Sequence, residues 1–206
     1  MGLFSKKDPI LAFWDWFIKN ERSLRNYREN PDKYLTQVIS KLNKIARGLA
    51  VEIGGDENSN ILELVISADG DIHKFPLVEQ IVENAPVVVG WEIIPFRQRS
   101  SKKDTSEMSV STPEFVINAS ELKYEPYIQD GFLNIIIYCD KVNDENYERV
   151  AYYCLLIVDN ILGEYDCVTK VKSYDVQPTP ISSGSKTIKP LVDLVDLIDE
   201  IKAKRN

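Results

Sequence analysis

Histidine is almost missing from this chain: one, His73, in 206 residues. A single imidazole leaves little from which to assemble a metal centre. The three cysteines, Cys139, Cys154 and Cys167, have no metal-like spacing that would compensate. They are odd in number, and two stand in apolar contexts on a predicted strand and a predicted helix. Buried, reduced thiols are therefore expected, not a disulfide framework. No run of about 18 or more apolar residues occurs, so no membrane span is expected. The start, MGLFSKKDP, has no signal-peptide apolar core, and Lys6 stands where a myristoylation signal wants Ser or Thr. A glycine-rich phosphate loop, a G-x-S-x-G elbow, an H-E-x-x-H pair and a C-x-x-C pair are all missing. Basic residues are outnumbered 25 to 32, for a formal charge of -7. Nucleic acid and anionic membrane surfaces draw their affinity from basic faces, so neither is an expected partner. These absences point to a cytoplasmic protein with no cofactor and no metal.

What is present is a hydrophobic fraction of 44%, enough for a sizeable core. The central stretch runs from Ile61 to Arg99. Ile61 to Ile66 is a β-branched run closed by the turn signal Ala68-Asp69-Gly70. Phe75 to Asn84 has helical spacing, with Phe75, Val78, Ile81 and Val82 on one face. Ala85-Pro86 stops it. Trp91 to Phe96 reads as a second strand, and Pro95 within it predicts an edge position or a bulge.

The same order recurs downstream. Phe132 to Cys139 is the most hydrophobic strand candidate. A helix from near Glu145 buries a wide stripe that includes Cys154, Leu155, Val158 and Leu162, and Gly163 is expected to end it. Cys167 to Val176 follows as a lysine-bearing edge strand. Each unit has a further strand in front, Leu49 to Ile53 and Leu122 to Ile128. The pattern predicts a single α+β domain, 1–206, with a mixed β-sheet built from two ββαβ units. A ferredoxin-like split βαβ sheet uses the same inner six elements. The two arrangements differ in which strand flanks Ile61–Ser67.

Two helices precede the first unit. Asp8-Pro9 starts one, with Ile10, Phe13, Trp14 and Phe17 as an aromatic stripe. Asn30-Pro31-Asp32 starts the other, which runs to Gly48. Residues 1–99 thus hold the helical pair and the first unit. Residues 100–113, SSKKDTSEMSVSTP, are polar and predict a flexible linker with Lys102-Lys103 solvated. Residues 114–206 hold the second unit and a last helix, whose Asp193, Asp196, Asp199 and Glu200 are expected to stay wet. Glu164, near a helix C-terminus, opposes the dipole and is expected to pair with Lys170, Lys172 or an arginine.

Chain direction places the candidate site. A helical crossover from Ile61–Ser67 to Trp91–Arg97 makes the two strands parallel, with their C-terminal ends on one edge. That edge gathers Ser67, Asp69 and His73 with Arg97 and Arg99. On a continued strand both arginines share the face of Trp91 and Ile93. Two guanidinium groups beside a helix N-terminus suit a carboxylate or phosphate. The simpler expectation is that Asp69 neutralises one arginine in a structural pair. An Asp69–His73 pair doing acid–base work is the catalytic alternative.

FWDWF, ISADG…FPLVEQIVENAP…GWEIIPFRQR and VDNILGEYD resemble the signature segments of a family of uncharacterised bacterial proteins, a domain of unknown function. The resemblance implies a bacterial cytosolic protein and brings no activity or catalytic residue with it. The leading expectation is a non-catalytic binding or regulatory module for an unknown protein or small anionic ligand. The alternative is a small hydrolase or lyase using Asp69, His73 and the arginines.

Overall fold

The computed structural model describes residues 8–55, 59–130, 132–180 and 187–204. The start of the chain, where the signal and lipidation readings fall, lies outside them. The chain is α+β, and it divides into two compact units, Met1–Arg97 and Gln98–Asn206.

In the first unit, helix α1 is Pro9–Leu24 and helix α2 is Pro31–Leu42. The Asp8 carboxylate accepts from the Ile10 N–H at 2.7 Å, and Asn30 caps Lys33 at 3.2 Å. The aromatic stripe of α1 is core: Phe13, Trp14 and Phe17 are buried, and the Trp14 indole donates to the Ile81 carbonyl at 2.9 Å. Helix α2 stops at Leu42, short of the expected Gly48. The N–H groups of Lys44 and Ile45 reach back three residues instead of four, tightening the chain into turns.

Strand β1 (Ala50–Gly54) pairs antiparallel with β2 (Leu62–Ser67). Strand β3 (Trp91–Pro95) lies parallel to β2, with Leu62 opposite Trp91 and Ile66 opposite Pro95. The order is β1-β2-β3, so Pro95 is on an edge strand, as its missing N–H requires. Helix α3 (Phe75–Glu83) crosses from β2 to β3 and buries Phe75, Val78 and Ile81.

The second unit opens with a difference. The stretch read as a flexible linker carries helix α4 (Lys102–Glu107) and strand β4 (Ser109–Ser111). Ser101 caps the Asp104 N–H at 3.1 Å, and Thr105 is buried with its hydroxyl on the Ser101 carbonyl. Lys102 is not simply solvated: it bridges Asp193 at 3.3 Å and Asp196 at 2.5 Å. Strand β4 pairs with β5 (Val116–Asn118) in a small antiparallel sheet.

The main sheet of this unit is β8-β7-β6-β9, with β6 at Lys123–Gln129, β7 at Phe132–Tyr138, β8 at Val171–Gln177 and β9 at Lys189–Pro190. Strands β6 and β7 are antiparallel, and β7 and β8 parallel. Helix α5 spans Tyr147–Lys170 and helix α6 Leu194–Ala203. Gly163 does adopt a left-handed backbone (φ 72°, ψ 156°), but the helix resumes beyond it. Cys167 therefore lies on a helix, and β8 begins later than its composition suggests.

One mixed sheet shared by both units does not form. Among the described residues there are three separate sheets of three, two and four strands. The core of the second unit runs from Ile117 to Ile198.

Candidate functional site

The carboxyl edge of β2 and β3 is built by tight backbone geometry. Strand β2 ends at the fully buried Ser67. Asp69 and Gly70 both take positive φ, 53° and 78°, a conformation that Asp tolerates better than most residues and Gly adopts freely. The turn is locked by the Asp69 N–H donating to Ser67 Oγ at 2.9 Å. The next carboxylate, Asp71, accepts from the His73 N–H at 3.1 Å and meets Lys74 Nζ at 2.9 Å. The Lys74 ammonium and the His73 N–H together hold the Asp71 carboxyl below the usual carboxylate range.

Phe96 closes the other strand. Its φ of 63° is rare for an aromatic residue, and it is retained by a 2.8 Å hydrogen bond from its N–H to the Ile66 carbonyl. Its ring packs 4.5 Å from that of Phe75. The backbone turn aims Arg97 at the β2 exit. Arg97 Nη1 donates to Ser67 Oγ at 3.1 Å and lies 3.5 Å from Asp69 Oδ1.

The structure thus brings Ser67, Asp69 and Arg97 together, and it sends the other candidates elsewhere. Arg99 belongs to the second unit. Its Nε donates to the Leu162 carbonyl at 3.1 Å, and its guanidinium binds Asp199 at 2.8 Å and Asp166 at 2.5 Å. The two arginines share no face, because Phe96 ends the alternation on which that expectation depended. Trp91 stands at the opposite end of β3, buried 5.1 Å from Phe17, with its indole donating to Glu21 at 3.3 Å. Burial raises the Glu21 pKa, but the hydrogen bonds from Arg25 and Trp91 outweigh it and the net shift is downward. His73 is exposed, and among the described residues its imbidazole makes no hydrogen bond or ion pair with Asp69.

The sequence reading missed one polar centre. Asp166, its side chain only 7% exposed, takes Arg99 and Lys202 on the same oxygen, Oδ2, at 2.5 and 2.6 Å. Its Oδ1 is buried and, among the described residues, has no hydrogen-bond partner. Burial lowers the Arg99 pKa, but the bonds to Asp199 and Asp166 overcome this and raise it. The available signal was the cluster of acids in VDNILGEYD, from which Glu164 was singled out as the paired carboxylate. Among the described residues, no group of three or more His, Cys, Asp or Glu side chains is placed to hold a metal ion. Nor is any helix there long and apolar enough to cross a membrane.

Comparison with family models, curated proteins and solved structures finds no match to this chain.

Proposed function

We propose that the protein is a non-catalytic binding module, and that the Ser67–Arg97 edge of its first unit recognises an anionic group of a protein partner or small ligand. The observation that carries this reading is the unequal hold on Arg97. Ser67 is buried and anchors the guanidinium at 3.1 Å. Asp69 is 70% exposed and stands off at 3.5 Å. Such an exposed pair contributes roughly 0–1 kcal/mol, so an incoming carboxylate or phosphate can displace Asp69 at little cost. Each unit contains an antiparallel strand pair, β1–β2 or β6–β7, whose second strand is followed by a helix and then by a parallel strand, β3 or β8. We take this ββαβ order as their common plan, one that presents loops at strand ends.

The hydrolase or lyase alternative needs a base oriented by a partner, and among the described residues no hydrogen bond or ion pair joins Asp69 to His73 to supply one. Membership of the uncharacterised bacterial family and a cytoplasmic location belong to the same proposal. The test is a phosphate titration of three variants at fixed ionic strength. Arg97→Ala should abolish binding, Asp69→Asn should strengthen it a few-fold by removing the competing carboxylate, and His73→Ala should leave it unchanged. Binding that survives Arg97→Ala would overturn the assignment.

A further inference from the structure

We propose a second binding site, in the other unit: a cleft between α5 and β8 that takes a small amphipathic carboxylate. The cleft has a volume of about 540 Å³, within the range of small-molecule sites.

Two irregularities coincide with it. Gly163 redirects α5 between the turns carrying Leu155 and Val158 and those carrying Cys167 and Val168. A bulge then interrupts β8. Leu133 pairs with Val171 and Asn134 with Ser173, which leaves Lys172 as the extra residue. Bulges re-aim side chains and recur beside binding sites. Together they keep the helix and strand from closing over one another. Leu155, on the apolar face of α5, stays only half-buried, and Tyr174 is 36% exposed although it pairs with the fully buried Ile135.

The lining sorts by chemistry. Ile135 and Val158 form an apolar floor, and Leu155 and Val168 add apolar walls. Lys172 and Tyr174 are the polar groups with reach at the exposed side. Among the described residues, no acidic side chain lines the cleft. In a chain of net charge -7, a lone ammonium at an apolar hollow without a carboxylate selects for an anion. Lys172 Nζ rests 5.4 Å over the exposed ring of Phe132, which is not among the lining residues, so it swings from that ring to meet an anion in the cleft, and among the described residues it makes no ion pair. Burial raises the Tyr174 pKa, so its hydroxyl remains a proton donor through the neutral range. An ammonium and a phenol beside an apolar floor match a carboxylate on an alkyl or aromatic body. The occupant is therefore an amphipathic monocarboxylate. The assignment uses no residue of the Ser67–Arg97 edge.

Octanoate is the probe, with octylammonium as the charge-reversed control, both titrated calorimetrically and followed by amide NMR below their aggregation limits. The expected result is saturable 1:1 octanoate binding with shifts at α5 and β8, weakened at least tenfold in Lys172→Met. Octylammonium should bind at least tenfold more weakly. Val168→Trp should fill the hollow and abolish binding; should that variant fail to fold, the exposed Lys172→Met still decides. No saturable octanoate binding, shifts away from α5 and β8, equal binding of octylammonium, or indifference to Lys172→Met would each overturn the site.

Discussion

The Arg99 guanidinium lies 2.5 Å from the buried Asp166 carboxylate, across 67 residues of sequence. Removing the arginine leaves that charge in the interior with, among the described residues, Lys202 as its remaining cation. Arg99→Ala should destabilise the second unit by about 3 kcal/mol, the low end for breaking a buried pair, since Arg99 itself is partly exposed. Urea denaturation checks this, and a loss below about 0.5 kcal/mol, the ordinary range for surface substitutions, would show that the pair is idle.

Leu155 and Leu162 lie on the same helix and should respond differently to truncation. Leu162 is 1% exposed, whereas Leu155 lines an open cleft. Leu162→Ala should cost about 2–5 kcal/mol and Leu155→Ala less than about 2, because Leu155 is only half-buried to begin with. Equal losses would mean that the cleft is closed in solution.

Tyr124 offers a pH test. Its hydroxyl is buried and, among the described residues, has no hydrogen-bond partner, and burial, with Asp193, Asp196 and Glu200 nearby, pushes its pKa up to about 12. Its folded pKa lies above the unfolded value of about 10. The stability from keeping it neutral is therefore whole below pH 10 and falls as pH rises through 12. Tyr124→Phe should flatten that alkaline loss. It should also match or exceed wild-type stability at pH 7, since it removes an unsatisfied buried group worth about 1–3 kcal/mol. Thermal melts from pH 7 to 11 read both effects, and a Tyr124→Phe melt well below wild type at pH 7 would contradict them.

Gly163→Ala should destabilise by about 1–3 kcal/mol, because φ 72° with ψ 156° belongs to a region essentially reserved for glycine. Chemical denaturation would detect it, and an unchanged midpoint would show that α5 straightens without penalty.

The legible parts of this fold are those governed by local chemistry. Asp69-Gly70 announces its turn, Pro95 its edge strand and Asp8-Pro9 its helix start, because each depends on nearest neighbours. The parallel β2–β3 pair follows from a crossover of the right length, and it brings Ser67, Asp69 and Arg97 to one edge. Arg99 was misplaced because an aromatic residue is a poor sign of a left-handed backbone, and Phe96 adopts one. Gly163 marks a break but not the resumption of helix beyond it, which accompanies ion pairs from Asp166 to residues 67 and 36 positions away. Helix α4 is too short to show a period, so a polar stretch that buries one threonine passed for a linker.

The binding role is tested most directly at Arg97 itself. In protein labelled with nitrogen-15, the Arg97 Nε–H signal and the Ser67 and Asp69 amides can be followed during titration with phosphate and with acetate at constant ionic strength. An anion-recognition edge predicts saturable shifts at these three positions, lost in Arg97→Ala and unaltered in His73→Ala, with both variants folded. No response at Arg97 to either anion, or a response that requires His73 and not Arg97, would contradict it.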